Sequence, residues 1–231
     1  MYDLIVVGAG LTGSEAALKV ARAGLNVLLV TTSLDTVYNL AGAAALTPPP
    51  GTLLEELCGS EPQTIETFAL HRRAKEVLER EPNLHLLQSS VTGLRTEAGR
   101  VVGVSTWEGV DRTAPRVVLC VGSFLRARLR VGTLTETAGR LSEMAYDDLY
   151  DDLVTGGFTF ADMTLTVPES GGAPPYTVTC KRFANVERNP EFALSRIDGL
   201  CAAGVCTSGY LPYEEAALQG QRFARALLGK A

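Results

Sequence analysis

The first thirty residues carry a hydrophobic pattern whose period changes twice. Residues 4–7 are a short apolar run, which predicts a buried strand because it is too short for a globular helix. Apolar residues then recur at helical spacing between residues 16 and 21, and Gly24 stands where a C′ glycine would end that helix. A second apolar run at residues 27–30 predicts another buried strand. The pattern therefore predicts a βαβ unit.

Three glycines lie at the turn between the first strand and the helix. Gly8, Gly10 and Gly13 have the spacing G-x-G-x-x-G. In dinucleotide-binding folds the first glycine permits the tight turn, the second admits a pyrophosphate, and the third allows close helix packing. The helix N-terminus adds free N–H groups and a partial charge of about +0.5. Since strand, glycines, helix and strand follow in the required order, we favour dinucleotide binding over a turn without a ligand.

The middle of the chain alternates between short apolar runs, amphipathic stretches and glycine- or proline-rich turns. A β-meander followed by a return strand is a common insertion in two-dinucleotide flavoprotein folds. We predict a surface loop over residues 37–51, a helix over 60–80 carrying a surface histidine (His71), a third parallel strand over 84–88, an antiparallel hairpin over 91–107, a buried strand over 116–122, a helix over 147–154, and strands over 158–167 and 176–180.

The last thirty residues repeat the order strand, glycine, helix. Residues 199–204 predict a short strand that ends in glycine, residues 205–212 a loop, and residues 213–228 a helix with acids in its first turn. This repetition predicts a return to the first sheet. In a flavoprotein, such a helix can direct its N–H groups at the flavin C2 carbonyl and stabilise negative charge on the reduced ring.

Composition restricts the class of protein. The chain has 231 residues, of which 46% are apolar and 20% charged, with a net charge of -5. These values are typical of a soluble globular protein, and the acidic balance argues against a broad nucleic-acid surface. No apolar run reaches the ~20 residues of a membrane span, and no basic leader is evident, so we expect a cytoplasmic protein. The five cysteines form no C-x-x-C pair, and we expect neither a metal site nor disulfides.

Hydroxyl side chains replace the expected acid after the second strand. In many dinucleotide folds an acid at this strand end bonds the ribose. Here Thr31, Thr32 and Ser33 occupy that place, and Asp35 comes later. The hydroxyls either bond the ribose or a phosphate, or form an ordinary turn. The missing acid makes NAD less favoured and leaves FAD open.

Two further features admit two interpretations each. Arg126, Arg128 and Arg130 alternate along the chain and form either a solvated basic face or a strand that faces an anion. Cys206 lies in the loop that we place near the cofactor, as a spectator or as a redox-active thiol.

Four stretches together resemble the glucose-inhibited division protein A family, the FAD-dependent enzymes that modify the tRNA wobble uridine. The stretches cover most of the chain, and the last is the most specific. They are YDLIVVGAGLTGSEAALKVARAG running into LLVTTSLDT, EPNLHLLQSSV with RVVGV, RVVLCVGSFLRARLRVG with AGRLSE, and GLCAAGVCTSGYLPYEEAALQG.

The resemblance implies an α/β protein with a Rossmann-like FAD/NAD(P)-binding fold, a parallel sheet with helices and a β-meander insertion. It implies one FAD-binding domain over residues 1–231, with a two-part core of 1–122 and 199–231 and an inserted region of 123–198. The positions expected to bind FAD are Gly8, Ala9, Gly10, Thr12 and Gly13 at the pyrophosphate, Thr31, Thr32 and Ser33 at the ribose, Ser90 and Val91 at the adenine, Gly122, Ser123 and Phe124 after the fourth strand, and Gly204, Val205, Tyr213, Glu214, Glu215 and Gln219 around the flavin.

The chain also departs from the family pattern. Residues 40–45 read LAGAAA where the family carries a catalytic cysteine, and residues 162–168 replace the family's RLKTGTPPR. The inserted substrate domain, which carries the second family cysteine, and the C-terminal helical region are missing or cut short. We therefore expect cofactor binding to transfer and tRNA chemistry, including direct tRNA binding, not to transfer. Catalytic residues stay unassigned.

Three functions follow from these observations. The leading one is a FAD-binding protein with flavin redox capacity and no independent tRNA-modifying activity. The second is a non-catalytic flavin module that acts with a protein partner or as a homo-oligomer, with residues 37–51 and 158–175 as partner surfaces. The third is an NAD-dependent dehydrogenase, which is disfavoured because no Tyr and Lys stand four residues apart.

Overall fold

The computed structural model describes residues 1–170 and 172–229 of the chain. Its strands are β1 (Leu4–Val7), β2 (Val27–Thr31), β3 (Ala44–Leu46), β4 (Gln63–Ile65), β5 (Leu84–Gln88), β6 (Val91–Glu97), β7 (Arg100–Thr106), β8 (Asp111–Thr113), β9 (Val117–Leu119), β10 (Arg128–Val131), β11 (Leu134–Glu136), β12 (Ala138–Arg140), β13 (Glu143–Met144), β14 (Phe160–Val167), β15 (Tyr176–Phe183) and β16 (Leu200–Ala202). Its helices are α1 (Leu11–Arg22), α2 (Leu53–Cys58), α3 (Thr67–Arg80), α4 (Asp147–Thr155), α5 (Val205–Ser208) and α6 (Tyr213–Leu228), with 3₁₀ turns at Leu34–Thr36 and Asn185–Glu187.

A parallel sheet of five strands, in the order β16-β9-β1-β2-β5, forms the centre of the fold. Val6 of β1 pairs with Leu29 of β2 on one side and with Val118 of β9 on the other. The first connection therefore moves to one side of β1 and a later one to the other side. Between β1 and β9 the sheet has a topological switch point, where ligands bind in open α/β sheets at the carboxyl ends of the strands.

The two faces of this sheet are covered by different layers. Leu4 and Val6 face one hydrophobic core with the buried sides of α1, α3 and α6. Ile5 and Val7 face a second core, which contains residues of the antiparallel sheet β6-β7-β8 and of α4. Because both faces are buried, the central strands are apolar throughout, as the continuous runs in the sequence predict. The predicted α/β class, parallel sheet and β-meander are confirmed.

The far end of the chain returns to the first sheet, as predicted. Cys201 of β16 pairs in parallel with Val118 of β9. Helix α6 lies on α1, and the hydroxyl of Thr12 donates a hydrogen bond of 2.8 Å to the carbonyl oxygen of Ala216. Gly24 has a φ of +93°, which is the left-handed conformation expected just past the end of α1.

A second sheet, in the order β11-β10-β15-β14, is antiparallel and comes from the middle of the chain. Its long hairpin pairs Phe160 with Phe183 at one end and Val167 with Tyr176 at the other. Val178 and Leu129 of this sheet belong to a third small core. This sheet provides one wall of the site described below.

The structure corrects three predictions in the segment between β2 and α3. Residues 37–51 are not a surface loop over their whole length, because Val37, Tyr38 and Leu40 are buried and residues 44–46 form β3. The predicted helix does not begin near residue 60, since residues 63–65 pair with β3 as a strand and α3 starts at residue 67. His71 is 8% exposed, and its Nδ1 lies 2.7 Å from the carbonyl oxygen of Val37. The buried segment thus provides the contact that draws this histidine inside.

Two smaller differences concern loops. Residues 205–208 form the short helix α5 instead of the start of a loop. Of the three alternating arginines, Arg126 precedes β10 and has a positive φ of 50°.

Across the described residues, no helix is both long and apolar enough to cross a membrane.

Candidate functional site

A cleft of about 260 Å³ lies at the switch point, between the carboxyl ends of β1 and β9. We call it the switch-point cleft. Its lining residues are Gly8, Ala9, Gly10, Thr31, Thr32, Thr36, Asn39, Ala41, Cys120, Val121, Gly122, Ser123, Phe124, Gly139, Arg140, Glu143, Tyr146, Leu165, Thr166, Val167, Tyr176, Val178, Val205, Tyr210, Leu211 and Tyr213. One part is polar and the other apolar or aromatic, which suits a ligand with a charged half and a ring half.

The glycine turn forms the floor of the switch-point cleft. Gly8 has a φ of +102°, and a β-carbon there would overlap the carbonyl oxygen of Cys120. A β-carbon on Gly13 would overlap the carbonyl oxygen of Gly8, so this glycine allows α1 to lie directly on β1. A β-carbon on Gly10 would meet nothing within 4 Å. Protein atoms therefore fill the space beside Gly8 and Gly13, whereas the space beside Gly10 is open to the cleft.

Gly10 is also the N-cap of α1, and no side chain caps this helix end. The first N–H groups of a helix have no partner within the helix. No acidic side chain lies in the first turn of α1. The floor of the cleft therefore offers donor groups and positive potential to an anion.

The hydroxyl residues after β2 divide between the two interpretations. The Thr31 hydroxyl donates to the carbonyl oxygen of Ser33 at 3.2 Å. The Ser33 hydroxyl in turn accepts from the N–H of Asp35 at 3.2 Å. Thr32 lines the cleft, and its hydroxyl makes no hydrogen bond within residues 1–170 and 172–229. Two of the three hydroxyls are thus used by the turn itself.

The opposite wall begins where β9 ends. Gly122, Ser123 and Phe124 all line the cleft. The Ser123 hydroxyl donates to the carbonyl oxygen of Gly139 at 3.1 Å, and a β-carbon on Gly139 would overlap the Phe124 ring. The N–H of Tyr146 donates to the carbonyl oxygen of Phe124 at 2.9 Å. These contacts hold the segment after β9 against the β12–β13 hairpin.

An ion pair that the sequence analysis did not assign lies in this wall. Arg140 contacts the carboxylate of Glu143, which also accepts a hydrogen bond of 2.8 Å from the Thr36 hydroxyl. Arg140 donates in addition to the carbonyl oxygen of Asn39 at 3.2 Å. Both residues fall in the AGRLSE stretch, which was used as a family feature only. An Arg and a Glu three residues apart are common on any protein surface, so this spacing alone does not identify the pair. Its position in the AGRLSE stretch was the signal that could have done so.

Two tyrosines complete this side of the cleft. Burial raises the pKa of the Tyr146 hydroxyl, and the nearby Glu143 carboxylate raises it further. Burial also raises the pKa of Tyr176. Both hydroxyls are therefore neutral at physiological pH, and they offer hydrogen bonds without charge.

The C-terminal segment closes the cleft. Val205 and Tyr213 line it, and the Tyr213 hydroxyl accepts a hydrogen bond of 2.9 Å from the N–H of Ala41. Gln219 connects α5 and α6, because its side-chain oxygen accepts from the N–H of Gly204 and its amide donates to the Ser208 hydroxyl at 2.9 Å. The two ends of the chain thus meet at one cavity.

Several predicted cofactor positions lie behind the lining or away from it. Gly13 and Thr12 lie on α1, Ser33 in the turn after β2, and Gly204 against the Thr12 side chain. The carbonyl oxygen of Ser90 accepts from the N–H of Trp107, and Val91 is buried in the second core. On α6, Glu214 lies in the first turn and Glu215 pairs with Arg222. Gln219, described above, is the last of these positions.

The three alternating arginines bind neighbouring protein groups. Arg126 pairs with Asp151 at 3.2 Å and Arg128 with Asp147 at 2.8 Å. Arg130 donates to the carbonyl oxygen of Gly132 at 2.8 Å. None of these arginines lines the switch-point cleft. The structure therefore supports the interpretation as a surface face, in which acids neutralise two of the three charges.

Cys206 is fully buried behind the cleft. Its Sγ lies 3.4 Å from the carbonyl oxygen of Leu119, and burial raises its pKa to about 12. A thiol with such a pKa is protonated at neutral pH and is a poor nucleophile. This environment supports the interpretation of Cys206 as a spectator and not as a redox-active thiol.

A buried carboxylate beneath the glycine turn was also missed by the sequence analysis. Glu15 on α1 is fully buried. It accepts hydrogen bonds from the Tyr38 hydroxyl, from the Gln221 amide at 2.6 Å and from the N–H of Leu53 at 3.1 Å. The N–H of Tyr38 donates to Ala9 at 2.8 Å. Glu15 therefore ties α1 and α6 to the segment that flanks the cleft.

Comparison with known proteins gives a consistent set of similarities. The family model described as glucose inhibited division protein A matches residues 3–58 and 60–169. Curated relatives include the tRNA uridine 5-carboxymethylaminomethyl modification enzyme MnmG of Syntrophobacter fumaroxidans, which is 35% identical in an alignment 196 residues long that covers 72% of this chain and 30% of that protein. The Chlamydia muridarum enzyme of the same name is 31% identical. The chain spans about a third of the length of these relatives.

Solved structures agree. The GidA-related protein from Thermus thermophilus matches with a TM-score of 0.92 and 42% identity, and the match covers 100% of this chain and 99% of that one. Aquifex aeolicus GidA matches with a TM-score of 0.83 over 98% of this chain and 64% of its own, at 17% identity. A putative thioredoxin reductase TrxB from Bacillus anthracis, at 13% identity and a TM-score of 0.59, shares the fold alone.

Proposed function

This chain belongs to the glucose inhibited division protein A family, whose members bind FAD, and from that premise we propose that it is a flavoprotein with redox capacity and no tRNA-modifying activity of its own. The observation that carries the proposal is the switch-point cleft. Both ends of the chain and the antiparallel sheet build this one cavity, which combines a glycine-turn floor with an apolar and aromatic wall.

The residues present fit FAD. The floor at Gly10 leaves room where a pyrophosphate must approach the backbone, and the start of α1 supplies donors without a competing acid. Leu165, Val167 and Val178 offer an apolar surface for the isoalloxazine ring. We assign the pyrophosphate to the floor and the ring to this wall, with the two-part arrangement of residues 1–122 and 199–231 as one FAD-binding domain.

When bound, FAD supplies the capacity to accept and donate two electrons. The chain's own residues position the cofactor and exclude water. The Arg140–Glu143 pair presents a polar surface with no net charge to the cleft. Val205 and Tyr213 line the cleft from the C-terminal segment, and Tyr213 is the first residue of α6.

The proposed absence of tRNA chemistry is supported by the residues around the cleft. The relatives are named for modification of a tRNA uridine. In this chain the segment over residues 40–45 has no cysteine. Cys120, which does line the cleft, has its pKa raised far above the ordinary value by burial, and so it is not a nucleophile at neutral pH.

The experiment is to purify the chain and identify the cofactor that denaturation releases. We expect a yellow protein with one FAD per chain. A matched pair of variants tests the assigned floor, because a side chain at Gly10 meets no protein atom within 4 Å. Gly10→Asp should fold and lose FAD, since its carboxylate lies where the pyrophosphate binds, whereas Gly10→Ala should lose far less affinity. A colourless protein that gains no FAD on incubation would contradict the proposal.

A kinetic measurement separates the redox protein from a flavin module that acts only through a partner. The FAD-loaded chain is mixed with NADH or NADPH and an artificial electron acceptor. Turnover at enzyme-like rates supports a redox function. A bound flavin that dithionite reduces but neither nicotinamide reduces favours the accessory module.

A further inference from the structure

The end of β2 lacks the acid that usually binds the adenosine ribose, and the turn there uses two of its three hydroxyls. Thr31 and Ser33 are engaged in hydrogen bonds within the turn. A ribose has two adjacent hydroxyl groups, both of which donate well to a carboxylate. A carboxylate from another element would therefore complete the adenosine end of the site.

Such a carboxylate lies two hydrogen bonds from Thr31. The N–H of Ser89, just past β5, donates to the carbonyl oxygen of Thr31 at 2.8 Å. The Ser89 hydroxyl donates to the Glu108 carboxylate at 2.7 Å. Since β2 and β5 are parallel neighbours, their carboxyl ends meet at the same sheet edge. Glu108 is thus held at the edge where the nucleotide fold places the ribose.

The turn that carries Glu108 is fixed in position. The N–H of Thr106 donates to Val110 at 3.1 Å, and the N–H of Gly109 donates back to Thr106 at 2.8 Å. The N–H of Trp107 donates to the carbonyl oxygen of Ser90 at 2.9 Å, which joins the turn to the position expected at the adenine. Trp107 itself is 70% exposed.

The charge of Glu108 is also maintained. The hydrogen bond from Ser89 lowers the pKa of the Glu108 carboxyl, and one from Thr106 lowers it further. Within residues 1–170 and 172–229, Glu108 makes no ion pair with a basic side chain. It is an ionised, exposed and preorganised acceptor.

We propose that Glu108, on the turn between β7 and β8, binds the adenosine ribose of FAD in place of the acid missing after β2. The inference rests on the proposed function. The β-meander is then part of the binding site, and Ser89 is the positioning residue that aims the carboxylate.

The test compares how fast the full chain releases FAD and FMN, since FMN has no adenosine. The flavin-loaded protein is diluted, and the fluorescence of the released flavin is measured. Glu108→Gln should weaken FAD about tenfold, as expected for loss of a charged hydrogen-bond partner. The same variant should leave FMN unchanged. Ser89→Ala should shift FAD binding in the same direction by less. Glu97→Gln, on the same small sheet, is the matched control and should match the parent chain.

The outcomes separate the two proposals. Equal FAD release from Glu108→Gln and the parent overturns the ribose assignment and leaves the flavoprotein intact. A loss that affects FMN as strongly as FAD also overturns it, because the damage is then not at the adenosine. A parent chain that holds neither flavin overturns the proposed function together with this inference.

Discussion

Gly220 on α6 lies directly against the main chain of Thr12 on α1, and a β-carbon at position 220 would overlap the Thr12 carbonyl oxygen. This approach is what lets the Thr12 hydroxyl reach Ala216 at 2.8 Å. The two helices come from opposite ends of the chain, and the first begins at the floor of the switch-point cleft. Their packing therefore sets the geometry of the site.

Gly220→Ala should destabilise the protein, because α6 must move away from α1 to admit the methyl group. Overpacking of this kind costs about 1–3 kcal/mol. Thermal unfolding should show a lower Tm and FAD titration a weaker affinity. Arg222→Ala, on an exposed part of the same helix, is the control and should change Tm little. An unchanged Tm in the Gly220 variant would contradict the close packing.

Glu15→Gln tests the buried carboxylate. The amide places an N–H group among donors from Tyr38, Leu53 and Gln221, so at least one of them loses its partner. An unsatisfied buried group costs about 1–3 kcal/mol. Urea unfolding of the variant and of the exposed control Glu79→Gln gives the difference directly.

The same variant has a predicted pH dependence. Burial raises the pKa of Glu15 above its ordinary value of 4.5, and the hydrogen bonds from Tyr38 and Gln221 only partly oppose this. A carboxyl with a raised folded-state pKa contributes its stability fully below the unfolded pKa and loses it as pH rises through the folded value. The stability advantage of the parent over Glu15→Gln should therefore shrink as pH rises from 4.5 towards neutrality. A constant difference would show that the two pKa values are equal.

Arg140→Met should destabilise the protein by about 3–5 kcal/mol, because it leaves the mostly buried Glu143 without its cation. The variant also loses the hydrogen bond from this side chain to the carbonyl oxygen of Asn39. The double variant with Glu143→Gln should cost less than the sum of the two single changes. A double-mutant cycle by chemical denaturation measures this coupling, and strict additivity would mean that the pair contributes nothing.

Cys206→Ser should retain FAD at the parent stoichiometry. The thiol is buried, and its raised pKa of about 12 makes it unreactive near neutral pH. A serine hydroxyl can donate to either of the same carbonyl oxygens, that of Leu119 or that of Ala203. Flavin content measured after purification and gel filtration checks the prediction. Loss of the cofactor in this variant would show that the sulfur atom is needed for the shape of the site.

The sequence by itself determined the elements that local pattern controls. Strand β1, helix α1 and strand β2 follow from changes in hydrophobic period, and the glycine spacing placed the turn between them. The return of residues 200–202 to the central sheet was also predictable, because that stretch repeats the strand–glycine–helix order. These features depend on residues that are neighbours in the chain, so their signal is present in a short window.

The tertiary structure decided which polar side chains are buried and which of them meet. Glu15 lies on helix α1, and its hydrogen-bond partner Gln221 lies 206 residues away. His71 moved from the expected surface to the interior because Val37 accepts its hydrogen bond. The hydrogen bond from the Ser89 hydroxyl holds Glu108 near the carboxyl ends of β2 and β5. Burial and hydrogen bonding depend on contacts between distant segments, and no local period encodes those contacts.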